Sequence, residues 1–419
     1  MGQGQNVPGQ TKLQGHLRVE TYIINGKVYV DGKFQDVTLK LSGGKIHILE
    51  GKVPEADRTM AAFADNNAPA NNQPDRQVID ACDCMVMPGF IDIHTHGAVG
   101  VDVNGADAEG LKKIGRFFAG NGTTSWLASV LTDTRDQTEW CIDQYLAFDQ
   151  SEHEAAELLG IHLEGPFLAR EYKGAMPEHL LRKPDIELVR AYQQRAKGNI
   201  RYITVSPEVE GVVEMIPDLK ECGIVTAIGH SGADYATSML AIQRGAACST
   251  HTCNAMRLLH QHEPAILGAA LESDIYSEMI CDGFHLHPGI VRLLMKVKGS
   301  ERLVAVTDSI MAAGLPDGRY HLGANEVVVQ NSDAKLLSDG TRAGSTLNQN
   351  RALKNVLSYT GRSLEEILPM FTENPAKLIG VWDRKGSITD GKDADIVILD
   401  DKLDVSEVFL GGKRLEGLV

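Results

Sequence analysis

From Pro88 to about residue 377 the chain alternates, about eight times over, between short apolar runs and amphipathic stretches. FIDIHTH leads into DAEGLKKIGRFFAGNG. TTSWLAS, ELLGIHLEG, IRYITVSPE, IVTAIGHS, ACSTHTCN, SEMICDGFH and RLVAVTDS follow, with helical segments near 135–149, 185–197, 234–244 and 349–360 among them. Strands separated by helices are joined by crossovers, and crossovers produce a parallel sheet covered on both faces. About eight such units fit a closed α/β architecture, the (β/α)8 TIM-like barrel.

The flanks follow a different grammar. VETYIINGKVYVDG and DVTLKLSGGKIHILEG alternate with period 2 and break at Asn25-Gly26, Asp31-Gly32 and Gly43-Gly44, which is the hairpin pattern. Strand patterns return at the other end in GSITDGKDADIVILD and VSEVFLGGKRL. The expected organisation is a disordered tail over 1–16, a small β-sandwich built from 17–87 and 378–419, and a hydrolase barrel over 88–377. Residues 56–76, rich in Asn, Ala and Pro, read as a surface insertion.

With 419 residues, 43% of them hydrophobic, the chain can bury a large core. Its 41 Lys and Arg against 56 Asp and Glu give a net charge of −15, which argues against nucleic acid as a partner. An anionic substrate then needs a local cationic pocket. No apolar run approaches the roughly 20 residues of a membrane helix. The seven scattered cysteines fit reduced thiols and a cytoplasmic setting. Cys82-x-Cys84, lacking a second such pair, is read as two small side chains in a strand rather than as metal ligands.

The informative polar residues stand where barrel active sites are built, at the C-terminal ends of the strands. His94 and His96 end the first, and their i, i+2 spacing points both imidazoles to one side. Glu164, His230, His251 and Asp308 each end a later one. Taken singly, a strand-end histidine is usually a hydrogen-bonded loop residue, and a Thr-Asp is often a helix cap. Six of them gathered on five strand ends form a donor set for one or two divalent ions, and Glu164 is of a type that can bridge two.

The motifs PGFIDIHTHG, HLEGPF, GHS, THTCNAM, DGFH and VTDS, in that order, resemble those of the amidohydrolase superfamily and, within it, of the N-acetylglucosamine-6-phosphate deacetylase family. The resemblance runs from about residue 20 to 415. It implies a deacetylase for N-acetylglucosamine 6-phosphate that works as a homodimer, with zinc favoured over iron, manganese or cobalt. The alternatives are deacetylation of another N-acetylated amino sugar, phosphorylated or free, such as N-acetylgalactosamine 6-phosphate, and a non-enzymatic barrel scaffold, against which the retention of all six donors argues. It implies Glu164, His230 and His251 as ligands of the principal metal, His94 and His96 as completing a second site, and Asp308 as the catalytic acid/base. Asn254, Ala255 and His285 would meet the sugar phosphate, partly across the dimer interface, and Ala175, His262, Ala343 and Gly344 would join them around the substrate.

The chain departs from the family pattern twice. Lys173-Gly174-Ala175 is followed by Met176 where relatives commonly carry a histidine, and a thioether neither donates a hydrogen bond nor holds charge. His262 stands before Glu263-Pro264 where an arginine usually clamps the phosphate, and an imidazole cannot make the two-pronged contact of a guanidinium. Arg257, His260 and Arg342 are candidates to replace that arginine, and His179 to replace the histidine.

Overall fold

The structure is a computed structural model that describes residues 19–49, 76–82, 84–151 and 153–417. The 1–16 tail and, apart from Arg76, the 56–76 segment lie outside the described residues.

Eight parallel strands form the barrel: β1 (Phe90–Asp92), β2 (Thr123–Leu131), β3 (Glu157–Glu164), β4 (Ile200–Val205), β5 (Val225–Ile228), β6 (Cys248–Ser249), β7 (Tyr276–Ile280) and β8 (Leu303–Val306). They pair in sequence order from β1 to β8. Every residue of β2 is buried, as expected of a strand covered on both faces. Helices fill the crossovers, among them α1 (Ala108–Gly120), α2 (Arg135–Ala147), α3 (Ile186–Arg195), α4 (Val212–Glu221), α5 (Tyr235–Arg244), α6 (Ala265–Glu272), α7 (Pro288–Lys298) and α8 (Gln349–Thr360). Asp107, Thr134, Asp185, Asp234 and Asn348 cap five of them, each accepting from a first-turn amide.

Closure between β8 and β1 runs through the residues just beyond the two strands. Thr307 donates its hydroxyl to Asp92 Oδ2 at 2.6 Å, Asp308 its amide to the His94 carbonyl at 2.9 Å, and His96 its amide to the Ser309 carbonyl at 2.7 Å. Burial pushes the Asp92 carboxyl up to about 7, against the opposing pull of Thr307.

The two chain ends meet in one sheet. Ile396–Leu399 pairs antiparallel with Met85–Pro88, in the register Ile396 to Pro88 and Leu399 to Met85. Around this pair a six-stranded sheet is completed by Val405–Leu410, Lys413–Arg414, Lys27–Val30 and Lys33–Gln35. A second sheet of four strands, Lys45–Leu49, Thr38–Ser42, Glu20–Ile24 and Arg76–Asp80, packs on it through Ile23, Leu39, Ile46, Val86, Ile396 and Phe409. Pro88 passes directly through Gly89 into β1, where a Cβ would collide with Thr124.

One element departs from the simple strand–helix reading. Between β8 and α8 a three-stranded antiparallel sheet (Gly318–Leu322, Asn325–Gln330, Asp333–Leu336) folds over one side of the barrel mouth. Leu322, Val327, Val329, Ala334 and Leu336 bury their side chains against Leu131, Leu168, Met176 and Ile310.

Sandwich and barrel are joined by charge. Lys385, its side chain 3% exposed, pairs with Asp395 and lies 2.6 Å from Glu157, the first residue of β3, which also takes Arg384 at 2.6 Å. Burial works against the Lys385 ammonium, but Asp395 and Glu157 outweigh it and hold its pKa above the usual lysine value. Replacing Lys385 by methionine leaves Asp395 buried and uncompensated. The expected cost is about 3 kcal/mol, read as a lower urea midpoint with unchanged metal content; an unshifted midpoint would show that this joint carries no stability.

Candidate metal and active site

Three of the strand ends that carry the six donors are held in unusual backbone conformations. His230, His251 and Asp308 have φ of 47°, 28° and 48°, in the left-handed region that non-glycine residues rarely occupy. Each turn is pinned by a neighbour, that of His251 by the Asn254 amide, which donates to the His251 carbonyl at 2.9 Å. The Ser231 amide donates to the Ala255 carbonyl at 2.9 Å, and the Ser345 amide to the Asp308 carbonyl at 2.7 Å. Gly344, at φ 61°, could not carry a Cβ, which would sit 2.9 Å from the Asp308 carbonyl oxygen.

So turned, the six side chains converge in two triads: His94, His96 and Asp308, and Glu164, His230 and His251, all buried. Glu164 stands between them. Its Oε1 lies 3.0 Å from His230 Nε2, 3.3 Å from His251 Nε2 and 3.4 Å from His94 Nε2, and its Oε2 lies 3.2 Å from His96 Nε2. Asp308 Oδ1 is 3.2 Å from His96 Nε2.

The donor chemistry fits a divalent cation. His96 and His230 direct Nδ1 at the carbonyls of Ser129 and Tyr172, at 3.0 and 2.8 Å. A carbonyl only accepts, so both rings keep a proton on Nδ1 and turn Nε2 to the centre, where its lone pair binds an ion once any proton there is displaced. Imidazole nitrogens nevertheless approach one another there, His230 to His251 at 3.1 Å and His94 to His96 at 3.2 Å. Atoms about 2.0–2.1 Å from a shared tetrahedral ion stand roughly 3.3 Å apart, close to the separations found.

Charge balance agrees. Burial raises the Glu164 carboxyl, yet His94, His230 and His251 outweigh it and hold it far below the usual carboxylate range. Burial likewise raises Asp308, and the neighbouring His94 and His96 bring it below the ordinary value. Burial disfavours the His96 imidazolium, but Asp308 and Glu164 lift it to about 9.

A cavity of about 450 Å³ opens above this centre. Ala175, Asn254, Ala255, His285, Ala343 and Gly344 line it together with His96, Glu164, His230, His251 and Asp308. His285 is oriented by Asp282, which takes its Nδ1–H at 2.7 Å. Met176 lines the cavity beside Leu131 and Leu322 and is 2% exposed. His262 is not brought to this group; it is exposed on the 257–263 loop and bonded to Gln261. Of the candidate replacements, only Arg342 reaches the cavity, where Arg170 and Lys173 join it; Arg257, His260 and the exposed His179 are absent from its lining.

Sequence reasoning passed over three interior residues. Glu278 accepts the Nδ1–H of His94 at 3.0 Å and the phenol of Tyr202 at 2.7 Å. His162, two residues before Glu164, lies between Ser129 Oγ (2.8 Å) and Thr204 Oγ1 (2.9 Å) and meets the His94 ring edge-on. Burial, reinforced by His94, drives its pKa well below the usual histidine value, so it is neutral. Polar residues in otherwise apolar barrel strands were the signal.

A parallel barrel that gathers such a donor set at its C-terminal rim is the architecture of a metal-dependent amidohydrolase. The sequence matches the amidohydrolase family over residues 85–415. It is 40% identical over 334 residues, 79% of this chain and 84% of the other, to N-acetylglucosamine-6-phosphate deacetylase of Bacillus subtilis (strain 168). To the N-acetylgalactosamine-6-phosphate deacetylase of Escherichia coli O157:H7 it is 33% identical over 330 residues, 78% of this chain and 87% of that one. The crystal structure of N-acetylglucosamine-6-phosphate deacetylase from Pasteurella multocida superposes with a TM-score of 0.83 at 30% identity, over 94% of this chain and 99% of that one. The chain belongs to the N-acetylglucosamine-6-phosphate deacetylase family.

Because His96 titrates near 9 without metal, it carries a proton at pH 7.5 that an incoming ion must displace. Zinc added to metal-free protein at that pH is expected to release protons, and affinity to weaken as the pH falls. Calorimetry in buffers of differing ionisation enthalpy measures the release; none would contradict the charge assignment.

Proposed function

We propose that the enzyme hydrolyses the acetamide of N-acetylglucosamine 6-phosphate, giving acetate and glucosamine 6-phosphate. The observation that carries the reading is Asp308, an ionised carboxylate beside two imidazoles at the floor of a cavity whose lining includes three cationic side chains, Arg170, Lys173 and Arg342. His94, His96, Glu164, His230 and His251 would hold one or two divalent ions, with zinc the first choice for imidazole and carboxylate donors and iron, manganese or cobalt next. When bound, such an ion supplies Lewis acidity toward the acetamide carbonyl and acidifies water in the pocket.

The chain's own residues handle orientation and protons. Asp308 accepts a proton from the attacking water and passes it to the amine nitrogen as the C–N bond breaks, since an unprotonated amine is a poor leaving group. Asn254, the Ala255 backbone and His285 hold the sugar phosphate. Ala175, Ala343 and Gly344 give the sugar close approach to backbone. Met176 joins Leu131 and Leu322 in an apolar wall rather than contributing a donor.

The phosphate is the part of this reading that the two departures bear on. A kcat/KM at least a hundredfold higher for N-acetylglucosamine 6-phosphate than for the free sugar, about 2.7 kcal/mol, is expected, and Arg342→Ala should erode that preference. Equal rates would mean a pocket retuned to another N-acyl substrate. N-acetylgalactosamine 6-phosphate is the second reading, favoured by the relative with that activity, and belongs in the same assay. Asp308→Asn should retain at least the ion of the other triad yet lose about three or more orders of magnitude in kcat; an active variant would remove Asp308 from the proton path.

The enzyme is further proposed to act as a homodimer. Leu258 and Leu259 are 64% and 53% exposed, and Ile290, Leu293 and Val297 form an exposed stripe along α7. Such apolar faces are the usual mark of an interface. His262, on the same loop as Leu258, then faces the second copy. Sedimentation should show a dimer that Leu293→Glu weakens.

A further inference from the structure

Glu278 is fully buried at the centre of β7, in the sequence Tyr-Ser-Glu-Met-Ile. A carboxylate there must be compensated, and three donors surround it. Its Oε1 accepts the Tyr202 hydroxyl at 2.7 Å. Its Oε2 accepts both the backbone N–H of His251 at 2.8 Å and the Nδ1–H of His94 at 3.0 Å. The first two contacts fix the carboxylate in place, and the third spends its charge on one particular ring.

That ring differs from its neighbours. The Nδ1–H groups of His96 and His230 meet neutral carbonyls, whereas that of His94 meets a carboxylate. A carboxylate acceptor locks the tautomer and makes the opposite nitrogen a stronger donor. His94 Nε2 lies in the His94–His96–Asp308 triad and is 3.4 Å from Glu164 Oε1, so the effect is delivered where the two triads adjoin.

We propose that Glu278 is the positioning residue on which occupancy of the His94–His96–Asp308 half of the centre depends. The inference rests on the metal centre of the proposed function and goes beyond it: two ions bind, and the second is set by a residue that touches neither substrate nor metal. Glu278→Gln tests it, because the amide keeps the size and one acceptor oxygen for the His251 and His94 N–H groups, turns an N–H toward the Tyr202 oxygen, and removes the charge.

The experiment is a cobalt(II) titration of metal-free protein, followed by visible absorption, with bound ions counted by mass spectrometry. Wild type is expected to take two ions per chain. Glu278→Gln should weaken one of them about 10–100-fold, the same one that His94→Asn removes, and should cost nothing further in the His94→Asn background. Tyr202→Phe, which leaves the carboxylate its charge and its contacts to His94 and the His251 N–H, should weaken that ion far less than Glu278→Gln does. A wild type that holds a single ion, a Glu278→Gln variant that fills both sites normally, an additional loss in the double variant, or an equal loss in Tyr202→Phe would each overturn the proposal. Since the readout is bound metal, a chain that shows this pattern but releases no acetate would keep the inference and lose only the substrate.

Discussion

Glu164 is the charge around which the molecule is arranged. All four imidazoles place Nε2 within 3.4 Å of its two oxygens. A carboxylate buried there alone would be untenable, and four imidazoles crowded together without it would be no better. Their mutual compensation holds only if strand ends distant in sequence are fixed to a fraction of an ångström. The barrel supplies that fixity, and its closing hydrogen bonds fall at the donors themselves. The Asp308 amide meets the His94 carbonyl and the His96 amide meets the Ser309 carbonyl. Joining the first strand to the last and assembling the His94–His96–Asp308 triad are therefore one event.

Much of this was legible in the sequence because each donor interrupts an otherwise apolar run at the point where the run stops. Periodicity gave the strand and helix order, and polarity at strand ends gave the six residues. What could not be read from one strand was anything defined by two. Glu278 and His162 lie inside apolar strands, and their roles exist only through His94, 184 residues from Glu278 in sequence. The sheet over 318–336 carries a clear alternation, with Val327 and Val329 buried. Its place against Leu131 and Met176 depends on a packing that no local pattern encodes.

The two departures from the family pattern have different physical meanings. Met176 fits its surroundings: the thioether continues an apolar wall that includes Leu131, Leu168, Ile310 and Leu322, and a histidine there would need a polar partner in that wall. His262 has no such setting, being exposed on a loop away from the cavity of its own chain. The cations that line the cavity are Arg170, Lys173 and Arg342, and all three side chains are already engaged. Arg342 holds Asp333 with two bonds, at 3.0 and 3.3 Å. A phosphate at this wall therefore competes with a carboxylate for the guanidinium.

The left-handed turns at His230, His251 and Asp308 cost on the order of 1–3 kcal/mol each. A chain keeps such strain only where packing over-determines it, and the strands beneath these residues are closed by side chains with almost no exposure, Ile228, Cys248 and Val306 among them. Relaxing the turn at His230 or His251 would swing its imidazole out of the cluster and leave Glu164 short of a neighbour, and relaxing that at Asp308 would take its carboxylate from His96. Strain in the three turns and charge balance in the cluster thus restrain the same atoms, and the donor set is poised before an ion arrives. An ion entering a centre already held in place loses little affinity to rearrangement. That preorganisation explains why the fold invests three strained residues where ordinary strand ends would have served the barrel alone.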